Sequence, residues 1–356
     1  MATIRARDGE SGARPAAVAL ADGQRATRTG GGAGGRGAAW GGVSIAVVSA
    51  ATFGTSGTFG TALLDAGWTP ATAVLARIGL AALIVTVPAV LALRGRWGLL
   101  RRSAWLVVAY GLVGVAGCQV FYFYAISQMP VGVALLIEYT GSILVVAWLW
   151  LRHGQRPRWL TIGGAVAAVG GLALMVVIGG SAEASSPASA GISPAGLLWA
   201  ALAAVSMAVY FILSAGTARP AGAGPPPAAP DEQSLPPIAL AWAGLLVGAV
   251  ALGALQAVHA LPFGASARDV TLLRHPVPPI VPIVGIALVS TALGYSAGIV
   301  AARRLGAKLA SFIGMAEIVF AVSYAWILLG QLPAATQFAG GALILAGVSL
   351  VKIDET

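Results

Sequence analysis

Three ionisable side chains lie inside long apolar stretches of this chain, where they could bind a charged group or exchange a proton. Arg77, Glu138 and Glu317 each have mainly apolar or small residues on both sides. In a lipid-embedded helix such a residue costs about 2.5–3.5 kcal/mol on insertion scales, so it is expected to face the protein interior. An arginine can hold a carboxylate, whereas a glutamate can hold an ammonium group or carry a proton.

Polar and aromatic residues in the same stretches could complete a pocket around these three. For each of them, ordinary core packing is the competing interpretation. For the charged residues, the competing interpretation is a buried structural bridge from Arg77 to Glu138 or Glu317. The additional pocket candidates are Gln119, Tyr122, Tyr139, Tyr295 and Tyr324.

Other chemistry-bearing motifs do not form a site. The stretch Gly54–Gly57 spells the GxSG pattern of an intramembrane serine protease, but a serine nucleophile needs a neighbouring general base. The three histidines, His153, His259 and His275, fall in loops or at the ends of apolar runs. No metal-ligand spacing and no phosphate-binding loop is present. We therefore expect no catalytic residue, no metal and no cofactor.

The composition shows what must position the candidate residues. The 356 residues are 58% hydrophobic and 9% charged, and the mean hydropathy is +0.87. A soluble domain carries roughly 25% charged residues. Uncharged runs of about 20 residues can cross the hydrocarbon core as helices, and continuous rather than alternating apolar runs exclude a barrel. The sequence predicts an all-α membrane protein, with the lipid bilayer as one partner.

The apolar runs predict ten transmembrane helices. At ~1.5 Å per residue, Arg77, Glu138 and Glu317 lie about 10–13 Å inside their spans, in or near the middle third of the membrane. The predicted spans are 41–62, 71–93, 104–126, 131–151, 159–179, 196–215, 236–257, 279–301, 306–329 and 335–351.

Lysine and arginine positions predict the orientation. With the N-terminus in the cytoplasm, 18 of the 21 cations fall on the inner side, as the positive-inside rule requires. The sequence thus predicts a multi-pass cell-membrane protein with both termini cytoplasmic. The net charge of +9 is then a topogenic signal over short loops, which excludes a nucleic-acid partner.

The two halves of the chain resemble each other at an offset of 176 residues. This offset aligns Gly154–Pro157 with Gly330–Pro333 and Trp150 with Trp326. Each half would hold five helices, so the second enters the membrane inverted. Inverted repeats of this kind are typical of secondary transporters, with the substrate site near the midplane between the repeats.

The predicted organisation follows from these assignments. Residues 1–39 form a disordered basic cytoplasmic tail, 40–180 the first repeat, 181–195 an external linker and 196–352 the second repeat. The second repeat includes a Pro/Gly-rich cytoplasmic loop at 216–237.

Diffuse motifs in both repeats are typical of one transporter family. They are Pro70 through Arg77, Ala125 with Pro130 and Leu135-Leu136, Met315–Glu317, Leu328–Gln331, Gly340-Gly341 with Gly347, and Leu293–Ser296 with Ala302–Leu305. In these residues the chain resembles the EamA family of the drug/metabolite transporter superfamily, over roughly residues 40–352. The last tract is most similar to exporters of threonine, homoserine and related amino acids. The proline usual in helices four and nine is replaced here by Ser142 and Ile318.

The resemblance implies a secondary transporter that exports amino acids or related small metabolites, with protons as a candidate coupling ion. Uptake by a permease of the same family is the alternative direction. A membrane sensor or scaffold that transports nothing, and a membrane-embedded enzyme, are the alternatives from other classes. An enzyme would need clustered catalytic groups near an interface, which the midplane positions of Glu138 and Glu317 do not provide.

Overall fold

A computed structural model describes the chain as mainly α-helical. Contacts divide it into two units, Met1–Gly41 and Gly42–Thr356, and the described part of the first unit is helical. That helix begins at Gly31, inside the segment predicted to be a tail. The described residues are 31–129, 131–154, 156–174, 193–216, 234–272, 275–329 and 335–355.

Fifteen α-helices and two π-helical segments make up the described helical structure. In chain order they are α1 (Gly31–Phe53), α2 (Ser56–Asp65), α3 (Pro70–Ala92), α4 (Gly98–Arg102), α5 (Ala104–Ala109), π1 (Tyr110–Gly117), α6 (Cys118–Ile126), α7 (Val131–Tyr139), α8 (Gly141–His153), α9 (Trp159–Ala173), α10 (Pro194–Ala215), α11 (Pro237–Ala257), α12 (Ile280–Gly285), π2 (Ile286–Leu293), α13 (Gly294–Gly314), α14 (Ala316–Leu329) and α15 (Ala335–Glu355).

The helix lengths agree with a membrane protein. Seven helical segments among the described residues are long and apolar enough to cross a bilayer. One of them, Ile280–Gly314, is 35 residues long and is broken at Gly306, where φ is 80°. The predicted ninth span begins at this glycine. In the structure it is divided between the end of α13 and α14. The ten-helix count remains a prediction.

The outer surface of the second unit is apolar. Trp105 and Trp159 are 82% and 86% exposed, and Leu83 and Leu151 are also largely exposed. Such side chains would be unfavourable in water over so wide an area. Because tryptophan concentrates at membrane–water interfaces, Trp105 and Trp159 are suited to the level of the lipid headgroups.

One end of the second unit carries a β-hairpin that an all-α prediction misses. Strand β1 (Val270–Leu272) pairs antiparallel with β2 (His275–Val277). Val270 is buried, and the preceding loop is bonded to the start of α3 through Thr69 N–H and the Gly264 carbonyl, 3.0 Å apart. Backbone groups outside helices need partners of their own, and strand pairing supplies them. We call this the hairpin end.

The opposite end holds an ionic cluster around the C-terminal helix. Asp354 of α15 lies 3.7 Å from the Lys308 ammonium and 3.9 Å from the Arg158 guanidinium. The Thr161 hydroxyl donates to the same carboxylate. The side chain of Asp354 is almost fully buried, so these partners are needed to hold its charge. The cluster joins α9, α13 and α15 at what we call the basic end.

Irregular helix geometry recurs at the offset found in the sequence. The π-helical segments begin at Tyr110 and Ile286 and have the same length, so they are 176 residues apart. Two further helices are interrupted at similar places, with Thr140 between α7 and α8 and Met315 between α13 and α14. Both interruptions occur although proline is absent there.

Glycines pack α9 against α15. A Cβ added to Gly164 would lie 2.6 Å from the Gly347 carbonyl oxygen, and one added to Gly171 would lie 2.5 Å from the Gly340 carbonyl oxygen. In both contacts a glycine of α9 meets the backbone of a glycine of α15. Close backbone approach through small residues is the usual packing mode in membranes.

We predict that Gly164→Ala destabilises the protein by about 1–3 kcal/mol, since the new methyl group has no room between the backbones. The matched control is Gly163→Ala, because an added Cβ there meets nothing within 4 Å. Thermal unfolding of the purified protein in detergent measures both. A midpoint for Gly164→Ala equal to that of the control would contradict the close packing of α9 and α15.

Candidate functional site

The guanidinium of Arg77 is the most deeply buried charge among the described residues. Its side chain has no exposed surface. Nε donates to the Thr291 hydroxyl at 3.0 Å, and Nη1 donates to the Ser56 hydroxyl at 2.9 Å and the Gln119 amide oxygen at 2.6 Å. Nη2 donates to the Ser290 hydroxyl at 3.1 Å. All four acceptors are neutral.

The irregular helix segments bring these acceptors to Arg77. Ser56 is the first residue of α2, directly after the break that follows α1, and Gln119 follows the end of π1. Ser290 and Thr291 are adjacent within π2, and both reach the same guanidinium. The Phe123 ring adds a face 5.7 Å from the Arg77 Cζ, within the range of a cation–π contact.

Arg77 does not form the ion pair that the sequence leaves open. Among the described residues, no carboxylate oxygen lies within 4 Å of its side-chain nitrogens. A buried charge without a counter-ion depends on hydrogen bonds to neutral dipoles. The four bonds and the ring are therefore its stabilising environment in this structure.

Gln119 connects Arg77 to the second half of the chain. Its amide oxygen accepts from Arg77, while its Nε2 donates to the Tyr295 hydroxyl at 2.8 Å. Gln119 and Tyr295 are themselves 176 residues apart, so equivalent positions of the two halves meet directly. The shared amide fixes the Tyr295 hydroxyl relative to Arg77.

A central cavity adjoins this network. Its volume is about 70 Å³. Ser56, Gln119 and Tyr295 lie in the wall between the cavity and Arg77, and Arg77 itself does not line the cavity. Six of the eight residues predicted for the site do line it, namely Gln119, Tyr122, Glu138, Tyr139, Tyr295 and Glu317.

The two carboxyl groups reach this cavity from the interrupted helices. Glu138 is the penultimate residue of α7 and is 8% exposed, and its Oε1 accepts from the Cys118 thiol at 3.3 Å. Glu317 lies in the first turn of α14, and its Oε2 accepts from the Tyr139 hydroxyl. Each carboxyl group thus has one donor and an open side toward the cavity.

Aromatic rings form much of the remaining wall. Phe53 and Tyr295 meet edge to face with centroids 5.2 Å apart, Tyr295 and Tyr210 at 5.4 Å, and Tyr210 and Phe211 at 4.9 Å. Edge-to-face contact is one of the arrangements that aromatic pairs prefer. The wall is therefore apolar except for the carboxyl groups and a few neutral polar groups.

The sequence prediction and the structure differ on several residues. Tyr324 stacks on Phe320 with centroids 6.3 Å apart and does not line the cavity. Ser56 was assigned only to a protease-like motif, whereas here it accepts from Arg77. Ser290, Thr291 and Cys118 were missed as site residues. A serine–threonine pair inside an apolar run is the signal that could have identified the first two.

Comparison with known proteins agrees with this architecture. The model of the EamA-like transporter family matches twice, over residues 40–177 and 194–353. A probable terminal-alkyne amino-acid exporter from Streptantibioticus cattleyicolor is 25% identical over 254 residues, which are 70% of this chain and 74% of that protein. The uncharacterized inner membrane transporter YicL from Salmonella typhimurium is 22% identical over 255 residues, which are 72% and 75% of the two chains.

A solved structure shares the fold. One protein chain of known crystal structure superimposes with a TM-score of 0.64 at 20% sequence identity. The superposition covers 88% of this chain and 96% of that one.

We predict that Thr291→Val destabilises the protein by about 1.5–3 kcal/mol, the usual loss for a buried hydrogen bond to a charged group. The change preserves side-chain shape but removes the acceptor of Arg77 Nε, together with the bond that the same hydroxyl donates to the Ile286 carbonyl. Thr271→Val is the control, since Thr271 is exposed on β1. Unfolding midpoints in detergent provide the comparison. If both variants unfold with the parent, the Thr291 hydroxyl does not stabilise Arg77.

Proposed function

The chain belongs to the EamA-like transporter family, and we propose that it exports amino acids or related small metabolites across the cytoplasmic membrane. Its substrate site is the central cavity, and it works by alternating access as a secondary transporter. The observation that carries the proposal is the pair of carboxyl groups, Glu138 and Glu317, facing one cavity inside the helical unit. In a membrane, ionisable groups so placed mark the path of a substrate or an ion.

The internal similarity of the chain supports alternating access. We propose ten transmembrane helices in two inverted five-helix repeats. The family model matches each half separately, and π-helical segments recur in both halves at one offset. Equivalent residues Gln119 and Tyr295 also meet beside the cavity. Rocking of one repeat against the other around a fixed central site is how such architectures expose a substrate alternately.

The two carboxyl groups suit different roles in this proposal. The helix dipole favours a negative charge at the N-terminal first turn of a helix, and Glu317 lies in the first turn of α14. Glu138 lies near the C-terminal end of α7, where the dipole opposes a negative charge. Glu317 then holds the ammonium group of the substrate, and Glu138 carries the coupling proton.

Arg77 has a positioning role in this scheme. The guanidinium lies behind Ser56 and Gln119 and contacts no cavity surface. It orients the amide of Gln119, and Gln119 in turn orients the Tyr295 hydroxyl at the cavity wall.

Orientation and direction complete the proposal. Both termini are cytoplasmic in this proposal, because 18 of the 21 cations then lie on the inner side, as the positive-inside rule requires. The relative from Streptantibioticus cattleyicolor is named as an exporter, which favours export over uptake.

Efflux from proteoliposomes tests the proposed function. Vesicles containing the purified chain are loaded with a mixed pool of amino acids and the corresponding amines and amides, and the loss of each compound is followed with and without an imposed pH gradient. We expect selective loss of one or a few compounds, accelerated by the gradient. If compounds are lost at the same rate with and without the pH gradient, the protein is a facilitator. Retention of every compound tried, from amino acids to other metabolites, would instead favour a sensor or scaffold.

We predict that Glu138→Gln removes the dependence of efflux on the pH gradient, because the amide cannot carry the proton. Glu317→Gln should reduce efflux itself by about ten-fold or more, as expected for a lost charged partner. In both variants the amide oxygen can still accept from Cys118 or Tyr139. Asp65→Asn, an exposed carboxylate at the end of α2, is the control. If both glutamine variants transport like the parent, the cavity is not the substrate site.

A further inference from the structure

The charge on the cavity wall is one-sided. Among the described residues that line the cavity, the carboxyl groups of Glu138 and Glu317 are the only acidic or basic groups other than the weakly acidic Cys118 thiol and the tyrosine hydroxyls. No lysine, arginine or histidine of that lining faces the space. The cavity therefore offers two sites for a cation and none that would neutralise an anion.

The guanidinium of Arg77 lies near the cavity but is separated from it by other side chains. An arginine has five N–H donors, and four hydrogen bonds from Arg77 end on Thr291, Ser56, Gln119 and Ser290. Its side chain has no exposed surface. A ligand carboxylate could reach it only by displacing Ser56 or Gln119 and breaking their bonds to the guanidinium.

A ligand carboxylate would also be poorly placed elsewhere in the cavity. It would approach two acidic groups in an enclosed, largely apolar space, where an unpaired charge is unfavourable. The amide nitrogen of Gln119 already donates to Tyr295, and the Tyr139 hydroxyl already donates to Glu317. The donors left to a ligand carboxylate include the hydroxyls of Tyr122, Tyr210 and Tyr295, of which the Tyr210 hydroxyl has no hydrogen-bond partner among the described residues. All of these donors are neutral, so none supplies the positive charge that a carboxylate would need.

The rest of the wall fits an apolar or aromatic body. The rings of Phe53, Tyr295, Tyr210 and Phe211 follow one another edge to face along the cavity, and Tyr122 and Tyr139 lie near the carboxyl groups. Tyrosine faces attract an ammonium group, and ring edges and faces pack against another ring.

We propose that the preferred substrate is an amine on an apolar or aromatic body with no free carboxylate, such as an aromatic amine or an amino-acid amide. The inference rests on the proposed function and narrows the substrate class of the same cavity. The ammonium group lies against Glu317, and the body lies along the aromatic wall. Free amino acids are the poorer ligands because their carboxylate has no cationic partner.

A series of ligands with one common body tests this in the unmodified full-length protein. The series is phenethylamine, phenylalanine amide, phenylalanine and 3-phenylpropanoate. Binding is measured in detergent through the rise in unfolding midpoint with ligand concentration, which requires no transport. Each ligand is also tested as a competitor of efflux from proteoliposomes. We expect the amine and the amide to act at concentrations about ten-fold or more below phenylalanine, and 3-phenylpropanoate to have no effect.

The outcomes separate this inference from the transport proposal. Phenylalanine binding as tightly as its amide, while efflux persists, overturns the inference and leaves the transporter intact; Arg77 would then reach the carboxylate in another conformation. Binding by none of the four also overturns it, and the mixed-pool efflux assay then decides whether transport itself fails. In Glu317→Gln, the amine should lose its advantage over 2-phenylethanol, a neutral ligand with the same body. An unchanged advantage would count against the carboxylate as the ammonium partner.

Discussion

The burial of Arg77 is the constraint on which the centre of this protein depends. A guanidinium in a low-dielectric interior must have its donors satisfied, and here the acceptors come from α2, α6 and π2. Ser56 and Gln119 belong to the first half of the chain, whereas Ser290 and Thr291 belong to the second. The Arg77 side chain thus connects both halves of the chain beside the cavity. Neutral dipoles stabilise its charge, whereas in an ordinary buried ion pair a carboxylate would do so.

Departures from regular helix geometry make this arrangement possible. Ser290 and Thr291 are adjacent residues of π2, and both hydroxyls accept from the Arg77 guanidinium. The π-helical segment brings both to one guanidinium. The interruptions at Thr140 and Met315 likewise place Glu138 at the end of one helix and Glu317 at the start of another. Opposite helix ends then give two chemically identical side chains different electrostatic surroundings.

Much of this could be predicted from the sequence because the cost of burying charge in lipid is large. The membrane class and the EamA family were predicted correctly, and most of the candidate residues line one cavity. The expectation that a charge is buried, however, does not predict which groups will contact it. The sequence predicts that Arg77 pairs with a glutamate or a ligand. Its partners in the structure are hydroxyl and amide groups, and such residues in an apolar run are only weak sequence indicators of a site. Tyr324 shares its residue type with the cavity tyrosines but stacks on Phe320 instead.

Local backbone irregularity was also beyond sequence reasoning. The proline positions of the predicted fourth and ninth spans hold Ser142 and Ile318. The helical structure is nevertheless interrupted near both residues, between α7 and α8 and between α13 and α14. Gly163 and Gly164 look alike in sequence, but only Gly164 meets another backbone. Tertiary contacts between α9 and α15 decide this, and periodicity does not register them.

Cys118 is the single cysteine of the chain, and its thiol lies in the cavity wall beside Glu138. This chain therefore already carries a single thiol at its cavity. A small membrane-permeant thiol reagent carrying a fluorine nucleus or a spin label would report occupancy and hydration of the cavity spectroscopically. No background substitutions would be needed.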